Sequence, residues 1–283
     1  MNAPTPAPTS PAPLSDALLR ARYGDARPEG ALPGGETIDV LMRHRTVRAF
    51  DARPLPEGTL QTLVAASQSA PTSSNLQAWS VVAVTDPARR ATLAQLAAGQ
   101  AQVRDCPLLL VFIADLSRLD RVSERGGGRA DANRFLEMFL VASVDAALAA
   151  QNALVAAESL GLGTCYIGAM RNHPEQVAEV LSLPPDAFAV FGLCIGWPDP
   201  ARPAEVKPRL PQPAVLHLER YDASAEPAEV ERYEPAMRAF QASQRMTEVA
   251  WSAQSASRVR GPDSLTGRHT LRDSLKRLGF GLE

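Results

Sequence analysis

At 283 residues the chain has room for one large domain or two small ones. A chain of this size buries roughly three-quarters of its unfolded surface, so it needs neither disulfides nor a structural metal to fold. Its 29 basic and 31 acidic residues leave a net charge of −2, which excludes a global field for nucleic acid or an anionic membrane surface. The 45% hydrophobic fraction is that of an ordinary globular protein.

The start, MNAPTPAPTSPAP, carries five prolines and neither a basic n-region nor an apolar h-region, so it is not read as a signal peptide. Such a tract buries too little to offset its ordering entropy and is expected to be disordered. Residues 1–35 form this start and a Pro/Gly-rich linker, with a short helix over Leu14 to Tyr23 that sets Leu14, Leu18 and Leu19 on one side. TIDVLMRHR follows as a helix, with Thr37 placed to cap it and Ile38, Leu41 and Met42 at i, i+3, i+4. It runs into RHRTVRAF, where Arg43, His44, Arg45 and Arg48 crowd together in a chain of net charge −2. Taken alone, cations there could simply complement a helix dipole, worth about 0.3–1 kcal/mol.

PEGTLQTLVAASQSA reads as the next helix, ending at Pro71, and PTSSNLQA as a polar loop. SVVAVTD and PLLLVFIAD are strand-like, with a helix between them. SERGGGRAD is expected to be a flexible loop. A long helix from about Asn133 to Leu160 is apolar nearly all round and expected to be central; its Glu137, Asp145, Gln151, Asn152 and Glu158 argue against a membrane span. TCYIGAM is the third strand. NHPEQVAEVLSL is a helix that Asn172 and Glu175 are spaced to cap. FAVFGLCIGWP is the fourth strand, WPDPARPAEVKPRLPQP an extended connection, and the remainder mostly helical and polar. Helices and strands alternate irregularly, as in a sheet packed between helices.

The usual zincin, thioredoxin-type, α/β-hydrolase and P-loop motifs do not occur. GLGTCYIG has the glycines of a dinucleotide fingerprint but follows a helix and opens a strand, the reverse of what that site requires. Gly161 and Gly163 are better read as ending the long helix in a left-handed cap. The four histidines show no metal-ligand spacing, so no metal is assigned. Cys106, Cys165 and Cys194 lie in apolar runs and read as buried free thiols of a reducing compartment, hence the cytoplasm. If the chain is an enzyme, a cofactor carries its hard chemistry.

Three polar features punctuate the apolar elements: HRTVR at 44–48, PTSSNLQAW at 71–79 and KPR at 207–209. With AALAAQNALVAAESLGLGTCYIGAMRN and FGLCIGWP standing between the second and the third, these blocks, from about Glu36 onward, resemble the FMN-dependent nitroreductase superfamily. Within it, the blocks are most similar to the branch of oxygen-insensitive NADPH nitroreductases and NADPH–flavin reductases.

The resemblance implies an α+β fold with a mostly antiparallel sheet flanked by helices, in a homodimer that binds FMN non-covalently. Residues 36–283 would be a single FMN-binding domain, with 220–283 a helical C-terminal excursion. Carried over by position, His44, Arg45, Thr46 and Arg48 contact the flavin, Arg45 at the pyrimidine end and Arg48 at the phosphate. Lys207 and Arg209 complete the phosphate clamp. Thr72, Ser73, Ser74 and Asn75 reach FMN from the partner subunit, and Gln100 bonds the ring edge. Tyr166, Ile167, Gly168 and Ala169 line the ring face; relatives often have a second glycine where this chain has Ala169, whose methyl is expected to narrow that face. Arg238 and Arg245 are the candidates for NADPH. The chemistry suits these roles, because arginine meets a phosphate with a planar fork and lysine with a point charge.

The implied activity is a ping-pong reduction of nitroaromatics, quinones or free flavin by NADPH, with no catalytic side chain. The alternative is a flavin-binding sensor or scavenger without turnover. A specialised reaction such as dehalogenation is a further enzymatic option. A nucleic-acid module lacks the charge it would need, and no membrane partner is expected.

Overall fold

The computed structural model describes residues 12–283, so the disorder expected at the start falls largely outside the described residues. In chain order the helices and strands are α1 (Asp16–Tyr23), α2 (Glu36–Met42), α3 (Thr59–Gln68), β1 (Trp79–Val84), α4 (Pro87–Leu96) and α5 (Ala101–Asp105). They continue with β2 (Leu108–Asp115), α6 (Ser117–Arg125), α7 (Leu136–Ser159), β3 (Gly163–Ile167), α8 (Pro174–Leu181) and β4 (Ala187–Gly196). The last are α9 (Glu226–Ser243), α10 (Trp251–Arg258) and α11 (Leu271–Arg277). The chain divides into two compact units, one of residues 46–204 with 256–283 and one of residues 12–45 with 205–255.

The first unit holds the sheet, ordered β1-β2-β4-β3, with every neighbouring pair antiparallel. Side chains alternate between the faces of a strand, and β2 shows why this sheet is buried on both sides. Leu108, Leu110 and Phe112 join one core cluster with the α7 alanines and Leu63 of α3. Leu109, Val111 and Ile113 join another with Leu93 of α4, Val103 of α5 and Val177 of α8. The fold is therefore helix, sheet, helix in layers, as the branched apolar runs predict.

The long helix α7 is central on one side only. Ala142, Ala146, Ala149, Ala150, Ala153 and Ala157 are fully buried, and their small side chains let the helix lie close to the sheet. Leu140, Val144 and Leu148 are exposed at 49%, 55% and 39%, so the helix, apolar nearly all round, is central through its alanine face alone. By length and composition α7 is the one helix among the described residues that would suffice to cross a membrane, yet its alanine face is packed in the protein core.

Local corrections have local causes. Helix α2 begins at Glu36 after an extended Gly35, so Thr37 lies inside the first turn and caps nothing. Asn172 takes a helical conformation at the end of a 3-10 turn, and α8 starts at Pro174 with no side-chain cap, so the expected capping box does not form. SER of SERGGGRAD ends helix α6; only the glycines turn, Gly127 at φ 74°. Gly161, at φ 79°, ends α7 in the left-handed region, whereas Gly163 is already the first residue of β3. TCYIGAM is strand only to Ile167; Gly168, Ala169 and Met170 form a 3-10 turn.

In the second unit, α1 covers the expected short helix and buries Leu19. The segment read as a linker returns alongside residues 12–14, with Leu14 N–H donating to Leu32 O at 2.8 Å and Gly34 N–H to Ala12 O at 2.7 Å. Helix α9 ends at Ser243, and just beyond it Arg245 stands at φ 53°, with Met246 N–H donating back to Gln241 O at 2.8 Å.

Candidate functional site

In the sheet-bearing unit, residues 46–51 run extended against the ends of β3 and β4. Thr46 bridges Thr164, Val47 N–H donates to Thr164 O at 2.9 Å, and Asp51 N–H donates to Trp197 O at 2.9 Å. Alternation along this segment buries Val47 and Ala49 and leaves Arg48 exposed between them. The close crossing requires glycine at 163, where a Cβ would stand 2.7 Å from Cβ of Val47. Arg48 also acts on a buried neighbour: burial pushes the Cys165 thiol up, and the Arg48 charge pulls it part of the way back.

The loop at 72–77 is held by a charge in the middle of α7. Asp145, 1% exposed, accepts from Ser73 N–H at 3.1 Å and Ala78 N–H at 3.0 Å. Between these anchors Ser74, Asn75 and Gln77 adopt φ of 49°, 54° and 49°. Left-handed conformations cost a non-glycine residue on the order of 1 kcal/mol each and persist only where surrounding structure holds them. Thr72 is half-buried, and Ser73, Ser74 and Asn75 are exposed. Among the described residues no hydrogen bond or ion pair joins them to 46–48 or 166–169. Gln100 stands at the start of α5, where its Oε1 accepts from Gln102 Nε2 at 2.6 Å.

On β3 only Tyr166 points outward, its ring edge-on to Phe191 at 5.1 Å. Burial, and then the Glu158 charge, push its phenol well above the ordinary range, so it stays a neutral donor. Ile167 is buried in the core. Ala169 is half-buried and packs on the same core. Gly168 lies under Arg171, whose Nη2 is 3.3 Å from where a Cβ would stand.

Nothing within YIGAMRN marks Arg171 for a role. Its guanidinium donates to Val190 O and lines a cavity of about 300 Å³ with His173, Glu175, Arg268 and Arg277. Burial, and then mutual repulsion, lower the ordinary pKa of Arg171 next to Arg268. A larger cavity of about 620 Å³, lined by Asp120, Glu124, Asp131, Asp186 and Glu283 among others, contains none of the expected site residues.

In the other unit, His44 is half-buried and Arg45 exposed just beyond α2, while Arg43 ends the helix and pairs with Asp39 at 3.3 Å. The KPR loop lies beside them, because one guanidinium, that of Arg22, donates to carbonyls of both segments. Lys207 Nζ lies 5.5 Å from the centre of the Phe240 ring, and Tyr233 OH donates to Pro208 O at 3.2 Å. The Arg209 guanidinium is exposed and folds back on the carbonyls of Lys207 and Pro208, both at 3.2 Å. Arg238 is exposed on α9, and Arg245 is exposed just past its end.

Among the described residues Arg45, Arg48 and Arg209 have no ion-pair partner, whereas Arg20, Arg43 and Arg53 each pair with a nearby aspartate. Exposed cations left without a carboxylate fit the phosphate of FMN. The nitroreductase family model matches residues 41–197, and the model of the family's C-terminal domain matches 207–283. The chain belongs to the nitroreductase family.

Among its relatives, the FMN reductase (NADPH) of Bacillus subtilis is 41% identical over 191 residues, 67% of this chain and 76% of that protein. The NADPH-flavin oxidoreductase of Vibrio harveyi is 38% identical over 227 residues, 80% of this chain and 91% of that protein. The structure of the NfrA1 nitroreductase of B. subtilis superposes with a TM-score of 0.81 at 35% identity, covering 88% of this chain and all of that one. Both nitroreductase models begin after residue 40, so α1 and Arg22 lie outside them.

Proposed function

We propose that this nitroreductase-family chain is an FMN-dependent oxidoreductase that takes reducing equivalents from NADPH and reduces nitroaromatics, quinones or free flavin. The observation that carries the reading is the set of exposed arginines without carboxylate partners, Arg45, Arg48 and Arg209, on the segments that match the family. When bound, FMN would supply the two-electron chemistry, with NADPH and acceptor taking turns at one face, a ping-pong cycle. The protein's part is to hold and expose. Arg48, Lys207 and Arg209 bind the phosphate, each charge-assisted hydrogen bond contributing roughly 1.5–3 kcal/mol. His44, Arg45 and Thr46 meet the ring from its pyrimidine side, and Gln100 its edge. Tyr166, Ile167, Gly168 and Ala169 form the floor, with the neutral Tyr166 phenol the one outward side chain of β3. Arg238 and Arg245, both solvent-facing, are assigned to NADPH.

Residues 36–283 act as one FMN-binding domain in this reading, and two copies form a homodimer. The exposed Leu140, Val144 and Leu148 on α7 support the dimer, since burying them removes apolar surface from water. Thr72, Ser73, Ser74 and Asn75 then serve the partner's FMN. Replacing Val144 by Glu is expected to give monomers in size-exclusion chromatography with light scattering; a persistent dimer would remove α7 from the interface. The three cysteines, all free and buried, favour the cytoplasm.

The decisive experiment is purification followed by anaerobic addition of NADPH. We expect a yellow protein that NADPH bleaches and that a nitroaromatic or quinone re-oxidises. A colourless chain that takes up no FMN rejects the site, and a yellow one that NADPH cannot bleach leaves only a flavin-binding protein. Arg48→Ala and Arg209→Ala are each expected to weaken FMN retention by roughly tenfold or more.

A further inference from the structure

Arg22 belongs to α1, ahead of the segment that either family model matches, yet it is 6% exposed and touches both groups of expected flavin ligands in its unit. Its Nη1 donates to Lys207 O at 2.8 Å. Its Nη2 donates to Met42 O and His44 O, both at 2.9 Å. Its own carbonyl accepts from Arg209 N–H at 2.8 Å. One residue thus makes four hydrogen bonds that tie the end of α2 to the KPR loop.

The chemistry explains why an arginine stands there. The last carbonyls of a helix lack partners within it, and a cation at that end is favoured. The loop carrying Lys207 is rich in prolines, which offer no N–H to pair with its carbonyls. A planar guanidinium reaches three carbonyls at once in a fixed fork; an ammonium on a flexible stem cannot hold the same spacing. The helix that presents Arg22 is itself anchored by buried Leu19. Through these bonds the backbone of both segments is fixed from behind.

We propose that Arg22 is a positioning residue for FMN binding: without touching the cofactor, it sets the spacing between His44–Arg45 and Lys207–Arg209. This rests on the reading of those four residues as FMN ligands.

The test uses the full chain as holoenzyme. FMN release after dilution is followed by recovery of flavin fluorescence for Arg22→Lys, Arg22→Ala, Arg209→Ala and the control Arg20→Ala, which removes an exposed residue of the same helix. Circular dichroism and thermal melting establish that each variant is folded at the assay temperature. We expect release from Arg22→Ala to be about tenfold or more faster and from Arg22→Lys about threefold or more, with Arg20→Ala unchanged. Turnover at saturating FMN should be largely retained, because the ligands themselves remain. In the Arg209→Ala background, Arg22→Lys should cost less than it does alone; a merely structural residue would be additive. If Arg22→Ala does not fold, Arg22→Lys and its coupling decide the matter. Release that is unchanged in the Arg22 variants but faster in Arg209→Ala overturns the proposal and leaves the ligand assignment standing. Release unchanged in Arg209→Ala as well overturns both.

Discussion

Two exposed loops of this molecule are each held from behind by one buried charge, of opposite sign. In the unit of residues 12–45 and 205–255, Arg22 donates to carbonyls of Met42, His44 and Lys207. In the sheet-bearing unit, Asp145 accepts from the N–H groups of Ser73 and Ala78. The cation suits a helix end and a proline-rich loop, where carbonyls are in excess. The carboxylate suits a loop whose Ser74, Asn75 and Gln77 are turned into left-handed conformations, leaving N–H groups without partners. The lesson is that the sign of the buried charge follows from which half of the peptide group a loop leaves unpaired. In both regions the buried residue fixes the backbone and leaves neighbouring side chains exposed.

The largest effect is expected at Asp145. Its replacement by Ala removes two charge-assisted bonds and strands the N–H of Ala78, which is 1% exposed, for a loss of about 2–4 kcal/mol in chemical denaturation. Asp145→Asn should recover less than half of this, because its NH2 faces a second donor. A loss below about 0.5 kcal/mol for Asp145→Ala would mean that the loop holds its shape unaided. Next is Gly163→Ala, which asks whether Arg48, lacking a buried charge behind it, depends on close packing. The new Cβ meets Val47 at 2.7 Å, so a loss of about 1–3 kcal/mol is expected, with faster FMN release as the 46–48 segment shifts. Wild-type melting and release would show that the crossing has slack.

The smallest effect concerns Glu234, a half-buried version of the Asp145 device. It accepts from Trp251 N–H at 2.7 Å and from Ser252 N–H at 2.9 Å, at the start of α10. Burial raises its pKa, but these bonds, the Ser252 hydroxyl and the Arg238 charge outweigh that and hold it below the ordinary 4.5. A depressed carboxyl contributes stability above its unfolded pKa and loses it as pH falls through the folded one. Trp251 fluorescence should therefore change on acidification below about 4.5, and Glu234→Gln should remove that component. A Glu234→Gln profile that still follows the wild type would assign the change to another group.

Much of the layered fold can be read from the chain because its signals are local. β2 is eight consecutive buried residues, and its apolar run needs no partner to be recognised. Arg45 and Arg48 could be singled out because they stand together in sequence, and the KPR loop because it interrupts a proline-rich stretch. Arg22 could not. Its partners lie 20, 22 and 185 positions away, and nothing in LLRARYG distinguishes it from Arg20, which is exposed and paired with Asp16. Asp145 looked like one of several polar interruptions of an apolar helix, and Arg171 like the tail of a strand motif.

The amino-acid order by itself determined which residues are apolar, charged or conformationally restricted, and thereby the strands, most helices and the cation-bearing segments. Periodicity acts over a few residues and is written in the chain. The tertiary structure alone decided which face of α7 stays exposed, which glycine must lack a side chain, and which buried charge supports which loop. Those outcomes depend on contacts between residues far apart in sequence, where hydrogen-bond satisfaction and close packing, rather than local propensity, choose the partner.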